Sequence, residues 1–174
     1  MSPALASLAT ARLDLRPFTM ADAPFVLGLL NEPSFHRWIG DKGVRDLDGA
    51  RAYLQGGPLA SYARHGHGLL AVMHRDSGEP LGMCGLLKRD HLEVPDLGYA
   101  FLPGAWGRGF ALEAARAVVA HGAHELGLTR VLAIVTPGNA PSIRLLERLD
   151  FRSEGLRRLP GEEEAVACFA WTAP

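Results

Sequence analysis

The stretch from residue 96 to residue 136 constrains the fold more than any other. DLGYAFL (96–102) leads into the glycine-rich PGAWGRGF, then into alanine-rich sequence, and then into RVLAIVT (130–136). Alternation along the first segment puts Asp96, Gly98, Ala100 and Leu102 on one face of a strand and Leu97, Tyr99 and Phe101 on the other. Ala111, Leu112, Ala115, Val118, Val119 and Leu126 give the following helix one apolar side, and Gly127 ends it. RVLAIVT is a nearly unbroken apolar run, as expected of a central strand covered on both sides. The segment therefore reads as a βαβ unit.

The flanking sequence builds outward from this unit. ARLDLRP (11–17) alternates as a first strand and Pro17 closes it. Thr19 caps a helix through Leu30, and a second helix covers Leu47 to Gln55; NEPSFHRWIGDKG (31–43) between them is turn-rich. LLAVMH (69–74) and PLGMCGLL (80–87) flank RDSGE as a hairpin. PGNAPSIRLLERLDF starts a helix near Pro141, and two last strands near 153–158 and 165–171 join through RRLPGEEE. The order β-α-α-β-β-β-α-β-α-β-β is an α+β pattern. Residues 1–174 read as one domain, with 1–10 as an N-terminal extension.

Composition narrows the partners. A formal net charge of −1 with no Lys/Arg block gives nothing to neutralise a phosphate backbone, so nucleic acid is not expected. No apolar run approaches the roughly 20 residues that span a bilayer, and MSPALASLAT lacks the positive start of a secretory signal. Cys84 and Cys168, far apart in apolar stretches, read as buried free thiols of a reducing compartment. The expectation is a soluble, cytoplasmic protein without a membrane partner, and a symmetric dimer is the default oligomer.

Bare backbone just ahead of a helix is a place for an anion: unpaired N–H groups point outward together and the helix dipole adds partial positive charge. Two phosphate loops fail at their working residues. A Rossmann turn would need a glycine where Leu112 stands, and a P-loop would need Lys and Ser/Thr where Phe110 and Ala111 stand. Trp106-Gly107-Arg108-Gly109-Phe110-Ala111 instead resembles the pyrophosphate loop of the GNAT-type N-acetyltransferases, [QR]-x-x-G-x-[GA], departing only at its first position. Asn139-Ala140-Pro141-Ser142, Leu145 and Leu149-Asp150-Phe151 are similar to a second signature of that family, an Asn followed by Ser and Leu at intervals of three with a Gly-Phe pair past the helix end. Asp150 takes the glycine's place there and tolerates left-handed backbone. The run LGYAFLPGAWGRGFALEAA and the opening TARLDLRP look like the ribosomal-protein acetyltransferase (RimJ/RimL-type) branch, in which the Trp is usual.

The resemblance implies a mixed, mostly antiparallel sheet of about seven strands, splayed between its two central parallel strands and flanked by about four helices. It implies acetyl-CoA as cosubstrate, with the pantetheine arm along Ala100, Phe101 and Leu102 and the pyrophosphate at Trp106, Gly107, Arg108, Gly109, Phe110 and Ala111. Asn139 would donate to the pantetheine. The acetyl group would pass directly to a primary amine, either a protein N-terminus or a small molecule. Asp96 stands where some members carry a glutamate base, with Glu93 second; a strand-start Asp bonding local backbone is the competing reading. No tyrosine follows Tyr99, so the acid found on the later helix of many relatives is absent, and Ser142 would be its substitute; an ordinary first-turn Ser bonding backbone is the competing reading.

Other signals carry less. His121 and His124 lie three apart on a helix without a third ligand cluster, so no metal is expected, and His65 and His67 form a loop pair. Cys84 lacks an activating His, and no G-x-S-x-G elbow exists. Phe35, Trp38, Tyr53 and Tyr62 fall where relatives build the acceptor side, although packing explains them equally. The alternative to an enzyme is a non-catalytic acyl-CoA-binding sensor or interaction domain.

Overall fold

The computed structural model describes residues 5–174. Eight strands form one sheet in the order β1-β2-β3-β4-β5-β6-β8-β7. They are β1 (Leu8–Ala9), β2 (Leu13–Pro17), β3 (Leu69–His74), β4 (Pro80–Leu87), β5 (Asp96–Phe101), β6 (Arg130–Val135), β7 (Arg152–Arg157) and β8 (Val166–Thr172). Every neighbouring pair is antiparallel except β5 and β6. The expected α+β pattern and its central βαβ unit are present, with α5 (Phe110–His124) as the crossover.

Two layers of helix cover the sheet. The α5 face packs Leu97 and Phe101 of β5 against Phe110, Ala114, Ala115 and Val118, with Leu146 of α6 (Ala140–Arg148) in the same core. The opposite face packs Ala71, Met83 and Ala100 against Val26, Leu29 and Leu30 of α1 (Ala23–Leu30) and Ala50 and Leu54 of α3 (Leu47–Leu54). The predicted alternation of β5 is thus observed, with small residues on the α1/α3 face. Cys84 and Cys168 are buried free thiols. Asp150 adopts φ 66° after α6, and Phe151 N–H returns to Leu146 O at 3.0 Å, so the aspartate fills the left-handed position as expected.

Three departures have local causes. The eighth strand is β1, inside the stretch read as an extension; Leu8 and Ala9 pair with Leu15 and Asp14, while residues 1–4 of that stretch lie outside those described. The turn-rich segment contains a short helix, α2 (Pro33–Trp38), which starts on Pro33 after an extended Glu32. A further helix, α4 (Ala60–His65), continues α3 through a π-helical turn at Gln55–Leu59, which absorbs Pro58 without ending the rod.

Candidate active site

The site is built around an incomplete strand pairing. β5 and β6 each have six residues, yet Asp96 with Leu132 is their one paired position, and beyond it they diverge. Leu102 N–H donates to Leu81 O at 2.9 Å, so by alternation the even-numbered residues of β5 spend their backbone groups on β4. Tyr99 and Phe101 therefore turn their backbone groups toward the gap. From the other side, Ala173 N–H donates to Thr129 O, and the same alternation turns Ile134 of β6 into the gap. Among the predicted pantetheine residues, Phe101 offers backbone to the cleft, while Ala100 and Leu102 contribute the small-residue face and β4 contacts.

The gap opens onto the glycine loop. Gly107 (φ +72°) and Gly109 (φ +80°) both adopt left-handed backbone, and Gly109 is the N-cap of α5 with no side chain capping it. The first intrahelical bond runs from Glu113 N–H to Gly109 O, so the amides of Gly109, Phe110, Ala111 and Leu112 have no partner within the helix. Trp106 donates its indole N–H to Phe101 O at 3.0 Å, closing the end of the free strand edge. Phe110 is buried, and the guanidinium groups of Arg12 (4.4 Å) and Arg108 (4.6 Å) both lie over its ring. Arg12 also donates to Arg108 O at 2.9 Å and pairs with Glu113 at 2.8 Å, which pins the loop to the chain beside β2.

The hydroxyl of Ser142 lies on the α6 side of the gap. Asn139 caps α6, its Oδ1 accepting the Ser142 N–H at 3.4 Å, and its own amide N–H groups have no partner among the described residues. Ser142 Oγ is hydrogen-bonded to Tyr99 Oη, a pairing the sequence reading missed. Burial pushes the Tyr99 phenol up to about 12, so it keeps its proton at neutral pH.

Asp96 lies across the sheet from Ser142, where the two strands begin to part. It is 1% exposed, the one buried charged residue among those described, and Arg89 Nε meets its two oxygens at 3.0 and 3.2 Å. Burial raises its pKa against the opposing charge of Arg89. Glu93 is exposed and bound to Arg157 (3.3 Å) and Arg130 (3.8 Å), and it is held below the usual glutamate range by its own backbone N–H and by Arg157. Thr136 Oγ1 donates to Trp38 O at 2.9 Å, joining α2 to the end of β6. Among the described residues no three His, Cys, Asp or Glu side chains gather as a metal site, and no helix is long and apolar enough to cross a membrane.

The acetyltransferase (GNAT) domain pattern matches residues 12–152. The chain belongs to the GNAT acetyltransferase family. The uncharacterized N-acetyltransferase p20 of Bacillus licheniformis is 30% identical over 154 residues, 87% of this chain and 85% of that protein. An acetyltransferase from Agrobacterium tumefaciens str. C58 superposes with a TM-score of 0.83 at 27% identity, covering 98% of this chain and 96% of its own. The ribosomal L7/L12 alpha-N-protein acetyltransferase RimL, solved in complex with coenzyme A, shares the fold at a TM-score of 0.83 and 18% identity, covering 96% of this chain and 98% of its own. This GNAT protein is an acetyltransferase, and acetyl-CoA is its acyl donor. The unpaired strand edge and the uncapped, glycine-led helix fit an extended amide-bearing arm that ends in a diphosphate.

Proposed function

We propose that this acetyltransferase acts on a primary amine, with the acyl donor held in the β5/β6 gap. One observation carries the reading: the unpaired Tyr99 backbone and Phe101 N–H lead toward the uncapped amides at Gly109 to Leu112. Phe101 N–H and the Tyr99 backbone would hold the pantetheine, and the loop amides the pyrophosphate, with Arg108 at its edge. The Asn139 side-chain amide, free of other partners, is a further donor to the arm. Trp106, Phe110 and Ala111 shape the loop and its first turn, while Ala100 keeps the acceptor face small and Leu102 bonds back to β4.

The bound thioester supplies the activated acetyl carbon. Asp96 takes the proton released by the attacking amine, through solvent at the exposed side of Arg89, because burial makes this carboxylate more basic than a free one. On the opposite face Ser142 holds a proton for the departing sulfur, and Tyr99 fixes the hydroxyl that does so. Of the two carboxylates expected from sequence, this reading uses the buried Asp96, while Glu93 is exposed and paired with Arg130 and Arg157. The acceptor classes are a protein N-terminal amine, as the name of RimL states for that enzyme, and a small-molecule amine. Release of free thiol from acetyl-CoA across N-terminal peptides and small amines tests the reading. Coenzyme A binding without turnover on any acceptor would overturn it in favour of a sensor.

A further inference from the structure

A cavity of about 240 Å³ lies between the α3–α4 rod and the ends of β3 and β4. It borders the site described above. Its Leu87 pairs with Asp96 across the β4–β5 ladder. The side chains of Leu87 and Leu69 stand 2.9 and 3.5 Å from where a Cβ on Gly98 would project, so the cavity floor rests on the small-residue face of β5, next to Asp96.

Two features of the cavity wall point to a ligand. The first is its charge. Arg64, His65 and Lys88 line it and no carboxylate does, and neither Arg64 nor Lys88 forms an ion pair among the described residues. Lys88 Nζ is fixed by the carbonyls of Arg89 (3.1 Å) and Leu92 (2.8 Å). The Tyr53 hydroxyl has no hydrogen-bond partner among the described residues, and burial pushes it up to about 12, so it is a donor. The second feature is Gly56 and Gly57, inside the π-helical turn. Glycine destabilises a helix relative to alanine, and a Cβ at either position would meet nothing within 4 Å. Pro58 accounts for the widened turn but not for the glycines. Both line the cavity and put no side chain into it.

We propose that this cavity binds the carboxylate of the acceptor, so that the acceptor is a small amine carrying an acidic group, with its amine directed toward Asp96. The proposal rests on the amine-acetylation reading above. The volume is below the roughly 300–1,000 Å³ of drug-sized sites and suits a fragment the size of one amino acid.

The test is thiol release from acetyl-CoA by the full chain with the common amino acids, each as free acid and as amide. Turnover of at least one free acid should exceed that of its amide by about tenfold, as expected for a charge-assisted contact. Arg64→Gln should narrow that ratio, and Gly57→Leu should abolish turnover of the acid while leaving the protein at least as stable to heat. Amides that match or outrun the acids, or an Arg64→Gln variant that slows both alike, would overturn it. So would acetylation of N-terminal peptides with no amino acid accepted, which leaves the acetyl-transfer reading intact. If no amine is turned over, that reading has failed and the cavity is judged by the His65 ring resonances. Movement with free acids and not with amides supports the cavity, and no movement overturns it.

Discussion

Gly109→Val tests the seat of the diphosphate more directly than removal of any side chain, because the proposed donors are backbone amides. At φ +80° an L residue costs roughly 1–2 kcal/mol, with a β-branched residue at the upper end. A Cβ there would stand 3.3 Å from Arg12 Nη2, the side chain that ties down the Arg108 carbonyl, so the loop must shift. In a chain of this size that strain lowers Tm by about 2–8 °C without ligand. Acetyl-CoA at about a hundred times its Kd adds about 2.7 kcal/mol to the native state, or about 5–11 °C. Displacing two amides, at roughly 1.5–3 kcal/mol for each hydrogen bond to a charged group, removes about 3–6 kcal/mol and so erases the whole shift. The control is Gly127→Val, at φ +67° beyond the far end of the same helix with nothing within 4 Å of its Cβ. Both variants should lose comparable stability in the absence of ligand, and only Gly109→Val should lose the ligand-induced rise. Thermal unfolding followed with and without acetyl-CoA decides the matter. A full rise in Gly109→Val would show that the diphosphate sits elsewhere.

Four further outcomes follow from the same geometry. Ser142→Ala should lower kcat by about a hundredfold, the lower end for a general acid, with a smaller change in the KM for acetyl-CoA. Tyr99→Phe should slow the enzyme less, and the double variant no more than Ser142→Ala alone; additive losses in steady-state kinetics would separate the two hydroxyls. Burial raises Asp96 in the folded state, so its ionisation costs stability as pH rises through that elevated value. Asp96→Asn should flatten this part of the stability–pH curve and remove the acid limb of kcat/KM; loss of Tm with an unchanged pH–rate profile would make Asp96 structural. Glu113 has the opposite sign: burial raises it, but hydrogen bonds from Thr10 and Arg12 outweigh that and hold it low. Its contribution is present above the ordinary glutamate value and lost as pH falls through the folded one. Glu113→Gln should therefore unfold with a shallower acid dependence than the parent protein, and an identical acid profile would remove the pairing from the stability of the loop.

Strand alternation and helical period made most of the fold legible, because both report burial, and burial here is simple. The β5 alternation sorted its side chains correctly onto the α5 face and the α1/α3 face. What was not legible depends on pairing or length. β1 has two residues and is recognisable only by its partner β2. α4 was hidden because Gly56-Gly57-Pro58 has the composition of a break, and only the observed π-helical turn reconciles that composition with a continuing rod.

The site divides along the same line. The glycine loop reads as an anion seat from its own residues, whereas Asn139 and Ser142 are reached only through the resemblance to the acetyltransferases. Neither route finds Tyr99. Alternation places its side chain away from Asp96, Gly98 and Ala100, on the face that reads as core, and nothing in the sequence says that α6 will bring Ser142 onto its phenol. The same ladder geometry decides which backbone faces the gap: once β4 takes the even-numbered residues of β5, the odd-numbered ones turn toward β6, and that assignment requires the register with a strand nine to nineteen residues away. The splay follows from it. With β6 paired to β8 at all six of its positions and to β5 at one, the sheet stays continuous and leaves the middle of β5 without a neighbour on that side. Restoring that pairing would add hydrogen bonds to the fold and close the gap, so the proposed donor site lies where the sheet forgoes stability.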